Sequence, residues 1–120
     1  MYNFEFVKPT TLAEAVKAMS SEGAQALSGG QTLTPTMKQR LAAPEVLVSL
    51  TAIPELKGVC TGAGGLHIGA ATPHAVVAKE AAQYYPALAK LAGGIGDPAV
   101  RNRGTIGGSI ANNDPSACYP

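Results

Sequence analysis

Two pairs of adjacent glycines, Gly29-Gly30 and Gly107-Gly108, constrain this chain more than any other feature. Ser28 precedes the first pair and Gln31-Thr32 follow it; Thr105 and Ser109 bracket the second. Without a Cβ, such a backbone can take φ > 0 and bring main-chain N–H groups close to an anion. One pair alone is first of all a turn former. Two, one in each half of the chain, point to a diphosphate held between lobes by backbone amides. The glycines are adjacent and no acidic residue follows at the ribose distance, so neither pair is the G-x-G-x-x-G dinucleotide fingerprint. Neither carries Gly-Lys-Ser/Thr, which argues against nucleotide hydrolysis.

At 120 residues the chain has the size of one ordinary domain or of a piece of a larger protein. Its end at Cys118-Tyr119-Pro120, directly after a glycine-rich segment, favours the piece. A formal charge of +1 gives no broad footprint for nucleic acid or anionic membrane. There is no apolar run of transmembrane length and no signal peptide at Met1–Glu5, so the expected location is the cytoplasm. Cys60 and Cys118 are then expected as free thiols, and neither they nor His67 and His74 have the spacing of a metal site. Tryptophan is absent and aromatic residues make up 5% of the chain, so the core has to be built from Val, Ile, Leu and Ala.

In chain order, Phe4–Val7 reads as a strand and Thr11 with Glu14 as a capping box opening a helix. Leu12, Val16 and Met19 fall on one stripe of that helix, the face expected to meet a core. Ser20–Gly23 ends it, and a second strand, Ala24–Leu27, runs into Ser28-Gly29-Gly30. Thr32–Arg40 reads as a short helix with Leu33, Met37 and Leu41 on one face; Glu45–Leu50 is an apolar strand expected to be buried on both faces. Strand–helix–strand–helix–strand predicts an α/β lobe with parallel pairing. Beyond a connector at 51–56, residues 58–70 read as a β-hairpin, and Thr72 as N-cap with Pro73 at the first position predicts a further helix. Another helix follows from Pro86, stopped by Gly93-Gly94. The boundary between lobes is expected near residues 54–58.

The segments around both glycine pairs resemble those of the FAD-binding (medium) subunit of molybdenum hydroxylases, the group that includes carbon monoxide dehydrogenase and xanthine dehydrogenase. Ser28-Gly29-Gly30-Gln31-Thr32-Leu33 is similar to the family's Ala-Gly-Gly-Gln-Ser-Leu loop. The resemblance continues through Met37–Ala42, Pro44 and Leu47-Val48, and Gly96–Ser109 is similar almost letter for letter to the second motif, followed by Asp114-Pro115. The resemblance implies an α+β, two-lobed FAD-binding fold of the vanillyl-alcohol oxidase (PCMH) type. Residues 1–56 would form an α/β-like N-terminal lobe and residues 57–120 the start of an incomplete second lobe. It implies FAD as cofactor, held by Ser28, Gly29, Gly30, Gln31 and Thr32 from one segment and by Thr105, Ile106, Gly107, Gly108, Ser109 and Asp114 from the other. It further implies an iron–sulfur small subunit and a molybdenum-binding large subunit as partners in a dimer of heterotrimers, with the molybdenum cofactor and iron–sulfur clusters confined to those partners. The chain departs from the family at Cys118, where an aspartate four residues after Asp114 normally helps to bind the flavin nucleotide.

The other polar residues favour structural roles. Arg101 and Arg103 are read as steadying the loop by pairing with Asp97 and Asp114 in preference to steadying a phosphate, and Asp97-Pro98 is expected to form a turn. His67 and His74 have no visible partner set, Cys118 reads as a plain small residue beside the cofactor segment, and Tyr84 and Tyr85 are expected partly buried at a helix end rather than stacked on a ring. No nucleophile with a base is present, so the chemistry would be the flavin's. The leading expectation is thus an electron-transfer oxidoreductase subunit; a cofactor-free scaffold or interaction module and a flavin oxidase of the vanillyl-alcohol type are the alternatives.

Overall fold

The structure, a computed structural model, describes residues 1–119. The first half is a three-stranded parallel sheet. Strand β1 (Glu5–Val7) leads to helix α1 (Leu12–Met19), β2 (Ala24–Leu27), α2 (Leu33–Lys38) and β3 (Val46–Ser49). The sheet order is β1-β3-β2, with Val7 opposite Val48 and Ala26 opposite Val48 on the other side. The central position of β3 explains its apolar run: Leu47, Val48 and Ser49 are all buried.

A 3₁₀ turn (Pro54–Leu56) connects to the antiparallel hairpin β4 (Val59–Gly62) and β5 (Gly65–Ile68). Four helices follow: α3 (His74–Glu80), α4 (Pro86–Gly93), α5 (Pro98–Arg103) and α6 (Ile106–Asn112). There are two small cores. Ala15, Val48 and Ile53 form one, with Ala18, Ala24, Val46, Leu50 and Leu56 around it. Val77, Ala81, Ala89 and Ala92 form the other, between α3, α4 and the hairpin. Full burial of Val48 and Ile53 contributes about 1.5–3 kcal/mol each.

Several sequence expectations are overturned. The capping box at α1 forms in a shifted version: the Glu14 N–H donates to Thr11 Oγ1, while the Glu14 carboxylate accepts from Thr10 N–H rather than from Thr11. The α1 stripe Leu12, Val16 and Met19 is exposed, and Ala15 is the buried contact. The reason is steric. Ala15 and Ala18 let the helix axis lie close to the sheet, which turns the larger residues outward. Leu41 is also exposed, because Arg40 takes φ = 59° beyond the last turn of α2 and redirects the chain. Thr72 does not cap α3. Pro73 holds the N-cap position, and the Thr72 hydroxyl accepts from Gly58 N–H and donates to Gly58 O instead.

The largest departure concerns residues 98–112, which are two helices rather than loop. Asp97 caps α5, its carboxylate accepting from Val100 N–H at 2.9 Å. Arg101 pairs with neither Asp97 nor Asp114; its guanidinium donates to the carbonyls of Ile95 and Gly96, both at 3.0 Å. Asp114 accepts from Ser116 N–H in a local turn. Gly107 and Gly108 lie in the first turn of α6, and neither has positive φ, unlike Gly30 at 71°.

Candidate functional site

A cavity of about 480 Å³ opens at the C-terminal ends of β2 and β3, where parallel strands present their ligand crevice. Three stretches line most of it, Ser28 to Leu33, Ala70-Ala71 with His74, and Gly104 to Asn112 in part, together with Gln25, Ala26 and Leu50. Of the residues expected at a site, Ser28, Gly29, Gly30, Gln31, Thr32, Thr105, Gly107, Gly108 and Ser109 line it together. Ile106 and Asp114 do not.

The first segment offers open donors. Strand β2 delivers the chain to Ser28, and Gly30 at φ = 71° turns it into α2, a left-handed position that favours glycine. Among the described residues, no protein acceptor receives the N–H groups of Gly29, Gly30, Gln31, Thr32 or Leu33. The Gln31 side chain folds back onto the Gly29 carbonyl at 3.1 Å, occupying one acceptor and leaving those amides to the cavity. Successive backbone donors around a left-handed residue form the kind of concavity that binds anions.

The second segment is already satisfied by protein. Ile106 N–H donates to Thr72 O at 3.1 Å and Gly107 N–H to Ala70 O at 2.9 Å. Gly108 N–H donates to Thr105 Oγ1 at 3.2 Å. Thr105 is buried, and its hydroxyl also bonds the Ser28 hydroxyl at 2.7 Å, joining the two segments directly. The glycines serve approach. A Cβ on Gly107 would stand 2.5 Å from Ala70 O and 2.6 Å from Ala70 Cβ. A Cβ on Gly29 would collide with the Arg103 carbonyl oxygen and lie 2.6 Å from Gly104 Cα. What this segment adds to the cavity are the side chains of Ser109 and Asn112, one helical turn apart on α6.

His74 has a partner that the sequence did not reveal. It is 3% exposed, lines the cavity, and its Nδ1 lies 2.9 Å from the Tyr119 hydroxyl. Burial lowers the His74 pKa below its ordinary value, so the ring is neutral at pH 7. Burial, with a smaller contribution from Cys118, pushes the Tyr119 phenol up to about 12. Asn112 was also missed; it becomes visible only once 106–112 is known to be helical, because it then shares a face with Ser109. Cys60 and Cys118 are free and exposed, and Cys118 lies away from this cavity. Tyr84 and Tyr85 are exposed. Among the described residues no cluster of His, Cys, Asp and Glu could hold a metal ion, and no helix is long and apolar enough to cross a membrane.

Known proteins share this fold. A family model described as the FAD binding domain in molybdopterin dehydrogenase matches residues 2–120. The carbon monoxide dehydrogenase medium chain of Hydrogenophaga pseudoflava is 41% identical over 98% of this chain and 42% of its own length. The 6-hydroxypseudooxynicotine dehydrogenase complex subunit alpha of Paenarthrobacter nicotinovorans is 34% identical over 98% of this chain and 41% of its own. Among solved structures, carbon monoxide dehydrogenase from Hydrogenophaga pseudoflava lacking the Mo-pyranopterin moiety of the molybdenum cofactor superposes with a TM-score of 0.90. That match is 42% identical and covers 95% of this chain and 41% of the other. The chain thus spans about two-fifths of the length of the relatives it matches.

Proposed function

The chain belongs to the family of FAD-binding domains of molybdopterin dehydrogenases, and from that premise we propose that it forms the diphosphate-binding part of a flavoprotein electron-transfer subunit. The observation that carries the reading is the row of amides from Gly29 to Leu33, without protein acceptors among the described residues and lining a cavity of about 480 Å³. A diphosphate is rich in acceptor oxygens and negatively charged, which is what such a row of donors fits.

In this reading Gly29, Gly30, Gln31, Thr32 and Leu33 bind the diphosphate through their N–H groups. Ser109 and Asn112 offer side-chain hydrogen bonds from the opposite wall, and Gly108 keeps that wall low. Ser28 and Thr105 hold the walls together, with Ile106 and Gly107 setting their spacing. Residues 1–56 supply one wall and residues 57–120 the other. Bound FAD supplies reversible electron transfer; the protein supplies position and electrostatics.

The complete protein would be the medium subunit of a cytoplasmic molybdenum-containing dehydrogenase. Electrons would reach its flavin from an iron–sulfur small subunit served by a molybdenum-binding large subunit, in a dimer of heterotrimers. The relatives are named for substrates as different as carbon monoxide and 6-hydroxypseudooxynicotine. Substrate choice would accordingly lie outside this chain.

Titration of FAD followed by flavin fluorescence tests the site. Saturable 1:1 binding that ADP displaces and riboflavin does not is the expected result. Absence of saturable binding, or indifference to ADP, would overturn the reading.

A further inference from the structure

We infer that His74 is a cofactor-binding residue, donating a hydrogen bond from Nε2–H to the diphosphate, with Tyr119 fixing the tautomer that makes this possible. The inference rests on the FAD reading above and adds a residue from outside both glycine segments.

Four observations carry it. His74 is 3% exposed, yet it lines the cavity. Its Nδ1 is engaged by the Tyr119 hydroxyl at 2.9 Å. Its Nε2 has no hydrogen-bond partner, yet no fully buried side-chain nitrogen or oxygen among the described residues is left without one. Nε2 therefore keeps an opening, and the cavity is the space the residue borders. Finally, the imidazole edge is brought toward the first glycine segment by two missing side chains. A Cβ on Gly104 would lie 3.0 Å from His74 Cδ2 and Nε2, and a Cβ on Gly29 would lie 2.6 Å from Gly104 Cα. Gly29, Gly104 and His74 are stacked with only glycine between the imidazole and the open amides.

The chemistry follows from the tautomer. Which ring nitrogen carries the proton is set by the bond the other one makes. A phenol hydroxyl donating to Nδ1 leaves the proton on Nε2, which then adds one more neutral donor beside the open amides of the first glycine segment. A ring protonated on Nδ1 would instead present a lone pair at Nε2 and repel phosphate oxygens.

Two measurements test this. Long-range ¹H–¹⁵N spectra of the ring nitrogens in the 120-residue chain should show Nε2 protonated and Nδ1 bare, with Nε2 shifting on addition of FAD; Tyr119→Phe should weaken the preference. A dominant Nδ1–H form would overturn the inference. FAD titration should show His74→Ala binding FAD and ADP roughly tenfold more weakly, as expected for loss of a hydrogen bond to a charged group. His74→Gln, which keeps a donor near the Nε2 position, should stay closer to wild type. Gly104→Ala is a second probe if His74→Ala does not fold. Position 104 has φ = −61°, which alanine adopts freely; the added methyl would press on the imidazole at 3.0 Å and on the Val100 carbonyl oxygen at 3.1 Å, and by shifting the ring should also weaken binding. Wild-type binding that is unchanged in His74→Ala and in Gly104→Ala would overturn the role of His74 alone. Failure of the wild-type chain to bind FAD or ADP would overturn the cofactor reading and this inference with it.

Discussion

The two glycine segments share an adjacent Gly-Gly pair beside hydroxyl residues and put it to opposite use. Around Gly29-Gly30, one glycine takes a left-handed backbone and the amides that follow have no protein partner. Around Gly107-Gly108 both glycines are helical, and the N–H groups of residues 106 to 108 are all bonded to protein. The first segment presents donors; the second packs the wall that faces them. Gly-Gly beside hydroxyl residues is therefore a statement about close approach, and what approaches, a ligand or another strand of backbone, depends on which amides the fold has already used.

The sharpest way to break this contrast is at Gly29, which has both jobs. Gly29→Ala places a methyl against the Arg103 carbonyl and Gly104 Cα, backbone that cannot step aside. Overpacking of that kind should cost about 3 kcal/mol or more, read by urea or thermal unfolding. A wild-type midpoint would show that the two segments do not clasp. Gly107→Ala should cost about 2 kcal/mol in the same assay, net of the roughly 1 kcal/mol that alanine gains over glycine in a helix. A net gain in stability would show that the Ala70 contact yields.

Thr105→Val removes the hydroxyl shared by Ser28 and Gly108 N–H. It should cost about 1–2 kcal/mol, the usual penalty when partners lose a hydrogen bond at a partly buried site. Gly30→Ala sharpens the comparison from the other side. Its positive φ should cost only about 1 kcal/mol of stability, while FAD affinity falls by more than stability does, because the turn that arrays the amides is distorted. Equal losses in both assays would remove the distinction between a presenting and a packing segment.

The smallest effect is in pH. His74 has its folded pKa lowered from 6.5 by burial, so as pH falls through 6.5 the unfolded chain takes up a proton that the folded chain refuses. Stability should therefore decline below pH 6.5 and level off once pH is below the folded value. His74→Gln should flatten that part of the curve, and an unaltered slope would assign the proton to another group.

The parallel lobe was legible because β2 and β3 are short apolar runs bounded by clear turn residues, and the hairpin because Gly64 and Gly65 mark its turn. Helix α6 was not legible: adjacent glycines in Ile-Gly-Gly-Ser have poor helix propensity, and the contact with Ala70 that calls for glycine at 107 is visible only in the fold. The exposed face of α1 was misread for the converse reason. Periodicity finds the large apolar residues, but Ala15 carries the contact, and alanines are too common in this chain to stand out. His74 was invisible because its value depends on Tyr119, 45 residues away.

The Ser28–Thr105 bond closes a span of 77 residues. Sheet β1-β3-β2 is complete by Ser49, but the cavity has no second wall until α6 is in place. During synthesis, then, the open amides emerge long before their opposing wall, and closing so long a loop carries an entropic cost that local contacts do not offset. A ligand that bridges both walls therefore acts on folding as well as on function, by favouring the closed arrangement.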